Sequence, residues 1–293
     1  MQTIIINGVT SFTGYWISKI LIDSKKYKII TILNNKKKNY IDLKKKRLNK
    51  LKPFKEYDDA KFGSKKYQEI LNNYKNFTYI HHSAYTKNYN YNFNINKAIS
   101  ENLKSLNEIF KILKNNNCKE IILTESYHQK FNKYKNYSLY AKSKYLTSRA
   151  FEKFSKKYKI KLRKNRIANP FGPLEEKRFL YYIISKWKKN ESVLIKSPND
   201  KNDFVPVDIL AKNFLNFLKS KKKILNVSGL YLSNYQFALI IKKNLEKLLK
   251  KKLIIKKTNL SKSFDRKNSN NSISYNICLN SLKNYLAYCI KEY

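Results

Sequence analysis

The feature that most constrains this chain is an alternation of short apolar runs with longer amphipathic ones, kept up from residue 3 to residue 170. Residues 3–6, 26–33 (KYKIITIL), 77–84 (FTYIHHSA), 119–126 (KEIILTES) and 160–170 (IKLRKNRIANP) read as strands. Residues 15–22, 99–116 and 140–158 read as helices between them, YQEILNNY continues the series, and residues 36–50 form a Lys-rich excursion. Continuous apolar strands of this length are buried on both faces, and parallel pairing needs a long crossover between successive strands. The pattern therefore predicts an α/β fold, a doubly wound parallel sheet covered by helices on both sides. Past Pro170 the alternation loosens into FGPLEEKRFL, DFVPVDIL and ILNVSGLYLSNYQFALIIKKNLEKLL, which predicts a smaller mixed α/β lobe. The expected boundaries are 1–168 for the first domain and 169–293 for the lobe, with some strand exchange back into the first domain.

A formal charge of +43 points, at face value, to a nucleic-acid or anionic-membrane partner. The composition argues otherwise. Only six of the 63 cationic residues are arginine, the residue a nucleic-acid reader leans on, and lysine is scattered over the whole chain. High Lys, Asn, Ile and Tyr with Gly and Pro at 5 each is the joint bias of an AT-rich genome, so nucleic acid is not the expected partner. Cys118, Cys278 and Cys289 are odd in number and lack metal-like spacing, which predicts reduced thiols, no metal site and a cytoplasmic location. MQTIIING shows no charged leader, and no apolar run approaches the length of a membrane span.

Between the first strand and its helix stands INGVTSFTG, where Gly8 and Gly14 take two of the five glycines in the chain. A glycine turn there lets a pyrophosphate approach helix amides that carry partial positive charge, the signature of a Rossmann-type dinucleotide site. Gly8, Ser11, Phe12 and Gly14 are the candidate phosphate-loop residues. Ser11 puts a side chain where the backbone should lie closest to the phosphates.

The loop resembles the TGATGFTG segment of extended short-chain dehydrogenases, the NAD-dependent epimerase/dehydratase family, with Gly8, Ser11 and Gly14 at the glycine positions. FTYIHHSA resembles the family's D-x-V-I-H-x-A strand, whose Ala84 position lines the cofactor groove, and Asn102 sits at the family's helix asparagine. RIANPFGP is similar to R-x-x-N-P-x-G at Arg166, Asn169, Pro170 and Gly172. NDFVPVDILA is similar to R-D-F-V-x-V-D-D, with Asn202 for the arginine and Ile209 for the second aspartate. These five matches stand in the right order and, with their spacing, cover almost the whole chain. The resemblance implies an enzyme acting on a nucleotide-diphosphate sugar, with the nucleotide-binding half first and the substrate lobe second. It also implies a homodimer through the helices near 98–115 and 140–157.

In such chemistry a tyrosine gives or takes a proton near neutral pH, although an unperturbed phenol titrates near 10. A lysine four residues on shares its helix face, lowers the phenol pKa and reaches the nicotinamide ribose. Tyr140 and Lys144 in YAKSK fit. Tyr-x-x-x-Lys occurs five times, about the number that chance gives in so Lys- and Tyr-rich a chain, so position selects Tyr140: it opens the helix after KEIILTES. The resemblance makes Thr124 the third member, the hydroxyl that binds the substrate oxygen, with Ser126 as the alternative. His81 and His82 read as strand residues beside the cofactor rather than as metal ligands.

After the second strand, where an acidic residue would hold the ribose 2′-hydroxyl of NAD, the chain reads Asn34, Asn35, Lys36, Lys37. That favours NADP(H) over NAD(H). Asn34 and Asp59, with Asp58 as its alternative, are expected near the adenosine, and Asn169 and Arg178 near the substrate diphosphate. Dehydratases of the family carry Asp then Glu after the Thr, whereas Glu125 and Ser126 follow Thr124, so dehydration is disfavoured. The TES segment and the short stretch to YAKSK resemble the CDP-abequose synthase-like 4-ketoreductases, which favours reduction of a 4-keto sugar. Epimerisation is the alternative within the family. A non-catalytic nucleotide- or RNA-binding member of the fold is the alternative from another class.

Overall fold

In the computed structural model, which describes residues 1–88, 92–131, 138–259, 263–266 and 271–292, the chain divides into two units. The first comprises Met1–Ile167 and Ala211–Leu225, the second Ala168–Leu210 and Asn226–Tyr293. The alternation read from the sequence is present throughout the first unit. Its elements are β1 (Gln2–Asn7), α1 (Phe12–Asp23), β2 (Tyr27–Ile32), α2 (Asp42–Asn49), β3 (Lys55–Tyr57) and α3 (Lys65–Asn72). They are followed by β4 (Thr78–His81), α4 (Ile95–Asn102), α5 (Leu106–Asn115), β5 (Glu120–Ser126), α6 (Leu139–Tyr158) and β6 (Leu162–Ile167).

The second stretch of chain contributes β7 (Asn169–Phe171), α7 (Phe179–Lys188), β8 (Val193–Ile195), β9 (Lys201–Pro206), α8 (Val207–Lys219), β10 (Ile224–Ser228) and β11 (Leu230–Ser233). It ends with α9 (Asn234–Leu249), β12 (Ile255–Lys257), β13 (Asn271–Ser272) and α10 (Tyr275–Glu292).

The main sheet runs β13-β10-β6-β5-β4-β1-β2-β3, and the pairings β1–β2, β1–β4, β2–β3, β4–β5 and β5–β6 are all parallel. Isoleucines 4–6, 29–30 and 121–122 in these strands are at most 1% exposed, as continuous apolar strands covered on both faces must be. One core in this unit packs Ile5, Ile30, Phe77, Ile121 and Phe151 against Phe110 and Leu113 of α5. Arg163 of β6, 1% exposed, ties the sheet to the end of α8 and the segment after it: its guanidinium donates to the Phe217 and Lys222 carbonyls and meets Glu120 at 3.2 Å.

Strand order reverses between β1 and β4. In an open parallel sheet the crevice beyond the strand ends at such a switch point is where a ligand binds, which fixes where the site must be sought. The second unit carries a three-stranded sheet, β11-β9-β7, and its own core of Phe171, Trp187, Phe204, Phe237, Ile241 and Leu282. No helix among the described residues is long and apolar enough to cross a membrane.

Candidate active site

At the switch point the chain leaves β1 through Gly8, whose φ of +74° suits a residue without a side chain. A Cβ there would lie 2.6 Å from the Ser83 amide nitrogen, and one on Gly14 would lie 2.2 Å from the Gly8 carbonyl oxygen. Both glycines are therefore demanded by close backbone approach. Ser11 needs no such freedom: its φ is −74°, and it is the N-cap of α1. Its hydroxyl donates to the Gly8 carbonyl at 2.8 Å and accepts from the Gly14 amide at 3.2 Å, so the side chain folds back into the turn. The first turn of α1 retains the amides of Phe12 and Thr13, donors with no acceptor inside the helix. The Phe12 ring itself is 2% exposed and belongs to the core, which leaves its main chain to face a phosphate. From α2, the fully buried Arg47 donates to the Thr10 carbonyl at 2.8 Å and braces the loop from behind.

Asn7, the last residue of β1, is 0% exposed and ties the two central strands together. Its carbonyl oxygen accepts from the amides of His82 at 2.8 Å and Ser83 at 2.9 Å. Its amide group lies 2.9 Å from the Tyr67 hydroxyl, 3.1 Å from that of Tyr79 and 3.1 Å from His81 Nδ1. Burial holds both histidines neutral, His81 well below its ordinary pKa and His82 down to about 3, with the Lys144 ammonium pushing the same way. No group of three or more His, Cys, Asp or Glu residues among the described ones is arranged to hold an ion.

A groove alongside is lined by Asn34, Asn35, Lys61, Ala84 and Asn102. Asn102 is buried, accepts from the Tyr85 amide at 2.8 Å and reaches Thr147 of α6 at 3.4 Å, so it shapes the groove wall. Lys37 is already engaged, its ammonium with Glu56 at 2.6 Å and its amide with Asp58 at 2.7 Å. Asp59 is exposed with a φ of +53°.

Tyr140 and Lys144 lie one turn apart near the start of α6, capped by Ser138. The Tyr140 ring meets Phe93 edge-on, with ring centres 5.8 Å apart. Lys144 is 5% exposed and donates to the Thr124 main-chain carbonyl at 2.7 Å. Burial pushes its pKa down to about 8 against the pull of Glu125. The Thr124 hydroxyl is itself occupied, lying 2.8 Å from His82 Nδ1 in a residue 7% exposed. Ser126, at the end of β5, is half-buried, and its hydroxyl accepts from the His128 amide at 3.3 Å. Glu125 is buried among Lys164 at 2.8 Å, Arg166 at 2.9 Å and Ser148, and these partners hold its carboxyl below the usual range despite burial.

With this geometry in place, comparison with known proteins is decisive on one point. A model of the NAD dependent epimerase/dehydratase family matches residues 4–228. The chain belongs to that family. It is an NAD-dependent enzyme of the extended short-chain dehydrogenase type, and the glycine cradle fits a dinucleotide pyrophosphate. No curated protein matches its sequence. Among solved structures, UDP-glucuronic acid 4-epimerase from Bacillus cereus, in complex with UDP-glucuronic acid and NAD, superposes with a TM-score of 0.77 at 14% identity, covering 98% of this chain and 100% of that one. UDP-N-acetylglucosamine 4-epimerase from Methanobrevibacter ruminantium gives 0.71 at 18%, covering 100% and 99%. The dTDP-glucose 4,6-dehydratase DesIV from Streptomyces venezuelae, with NAD bound, gives 0.72 at 10%, covering 99% and 97%. At such identities the fold is what is shared.

In the first unit, Gly8 and Gly14 close on Ser83 and His82, His82 meets Thr124, and Thr124 holds Lys144, while Ala84 and Asn102 line the groove beside them. Asn169, which opens β7, and Arg178, at the N-cap of α7, belong to the second unit. There Asn202 accepts from Arg266 at 3.1 Å, so a guanidinium stands beside the position where the R-D-F-V motif lacks one. Sequence reasoning missed Asn7, Thr13, Arg47 and Arg266. Rarity was the available signal for the arginines; for Asn7 and Thr13 none existed, because Asn and Thr at a strand end or helix start are ordinary.

Proposed function

We propose that this enzyme reduces the 4-keto group of a nucleotide-diphosphate sugar, with Tyr140 as proton donor, Lys144 as the cation beneath it and Ser126 as the hydroxyl that binds the substrate oxygen. The observation that carries the reading is the buried Lys144, one helical turn from Tyr140 and fixed by the Thr124 carbonyl. A bound nicotinamide dinucleotide supplies the hydride. The ammonium favours the phenolate that remains when Tyr140 releases its proton. Ser126 takes the hydroxyl role over Thr124 because Thr124 is shut in against His82.

Dehydration is disfavoured in either register. Glu125, after Thr124, is locked in ion pairs, and the residues after Ser126 are Tyr127 and His128, neither a carboxylate. The absence of a carboxylate at Asn34 and Asn35, with Lys61 on the same groove, supports NADP(H) over NAD(H). Paired fluorescence titrations with NADPH and NADH test this, and tighter binding of NADH overturns it. Asn34 and Asp59 are assigned to the adenosine side, and Asn169, Arg178 and Arg266 to the substrate diphosphate. The helices α4, α5 and α6 are assigned to a homodimer interface, which a monomer mass in light scattering would refute.

Epimerisation is the second reading, favoured by the 4-epimerases among the structural neighbours. The direct test of the proposed machinery is incubation of the wild type and Tyr140→Phe with a panel of nucleotide-sugars and 4-keto-sugars and both cofactors. A substrate turned over by the wild type and not by the variant supports the assignment. Full turnover by the variant removes it.

A further inference from the structure

Three hydrogen bonds run in series from the phosphate loop to the buried lysine. Thr13 Oγ1, in the first turn of α1, lies 3.0 Å from His82 Nε2. His82 Nδ1 lies 2.8 Å from Thr124 Oγ1, and the carbonyl of the same Thr124 receives the Lys144 ammonium at 2.7 Å. A neutral imidazole offers one donor and one acceptor, and each threonine hydroxyl supplies either complement, so the series is satisfied in both tautomers. The imidazole also fills the space behind Gly14: a Cβ on that glycine would stand 2.9 Å from His82 Cδ2. Thr13, His82 and Thr124 come from three different elements, and His82 touches both the helix start that faces the cofactor phosphates and the strand that holds Lys144.

We infer that His82 is a positioning residue that links the phosphate-binding turn of α1 to the placement of the Lys144 ammonium, so that a change at Thr13 is felt at Lys144. The inference rests on the reading of Lys144 as the cation at the nicotinamide ribose. Because Thr124 is bonded to both His82 and Lys144, a loosened His82 lets the carbonyl drift and weakens its hold on the ammonium. The titratable groups that act on Lys144 are Glu125 on β5, His81 at the end of β4 and His82 just after it. Among these, Glu125 favours the ammonium and the histidines are neutral, so loss of the carbonyl contact lowers the pH at which Lys144 gives up its proton.

The test is NADPH binding followed by nicotinamide fluorescence from about pH 6 to pH 10, on the folded full-length protein. Wild-type affinity is expected to fall through a midpoint near the Lys144 titration. In His82→Leu, and in Thr13→Val should the first variant fold poorly, the midpoint is expected to move down by about half a pH unit or more. A general loosening of the fold weakens binding at every pH and leaves the midpoint in place. That result, or a midpoint that rises, overturns the inference. Lys144→Met separates it from the reading beneath it. If Lys144→Met keeps the wild-type pH dependence, Lys144 is not at the ribose and both fail; if it flattens the curve while Thr13→Val leaves the midpoint unmoved, the link alone fails.

Discussion

An ammonium 5% exposed, resting on a carbonyl, is a stability cost, and the role proposed for Lys144 accounts for it. Lys144 titrates near 8 in the folded protein against 10.5 ordinarily, so below pH 8 the fold holds its proton less tightly than the unfolded chain does, by roughly 3 kcal/mol. Between pH 8 and 10.5 the unfolded chain binds more protons and stability rises with pH. Lys144→Met is therefore expected to be more stable than wild type at pH 7, after about 1 kcal/mol is set against it for the lost hydrogen bond. It should also lack the alkaline rise, which urea melts at pH 7, 9 and 10 will read. At the hydroxyl position, Ser126→Ala should lower kcat about a hundredfold while Thr124→Val keeps most of it, and the opposite ranking would return the role to Thr124. Strand alternation put both hydroxyls at the end of one strand, and the family resemblance preferred Thr124 with Ser126 as the alternative. Two residues apart they share a face, and what distinguishes them is depth in the crevice and the partner His82, neither of which alternation records.

At the scale of elements, the loop before α1 works because strand, turn and helix press against the residues that follow β4. The contacts behind Gly14 are a carbonyl and an imidazole rather than flexible side-chain ends, so Gly14→Ala must displace the loop. It is expected to abolish NADPH binding in the fluorescence titration while far-UV circular dichroism stays native; unimpaired binding would refute the tight approach. The strands and long helices were legible because burial on two faces, or on one stripe, leaves a period in the sequence. Helix α2 was not: it lies inside the Lys-rich stretch, and only Arg47 and Leu48 in it are buried, too few for a period. Its contribution to the site comes through Arg47, whose bond to the Thr10 carbonyl joins residues 37 positions apart.

For the whole molecule, the charge of +43 that dominates the composition does not organise the fold; pairs such as Lys164 and Arg166 around Glu125 do so locally. Acid sensitivity is set by His81 and His82, buried neutral, and by Glu125, whose pKa is lowered. In each case the unfolded chain binds protons that the folded one refuses, so stability is lost as pH falls below about 6.5 and further below 4.5. Glu175, raised to about 7 by burial in the second unit, works the opposite way between 4.5 and 7, one proton against two. Thermal melts should therefore show Tm falling on acidification from pH 7, and a Tm flat down to pH 5 would contradict the neutral burial of the two histidines. The order of motifs disclosed the family; the direction of its chemistry must be measured. The most direct measurement is nicotinamide absorbance recorded while the enzyme, NADPH and a nucleotide 4-keto-sugar react, with product counted by mass spectrometry. A 4-ketoreductase consumes one NADPH for each sugar reduced, and Tyr140→Phe consumes none. Conversion of a nucleotide-sugar with no net change in absorbance would contradict the account and assign the enzyme to epimerisation.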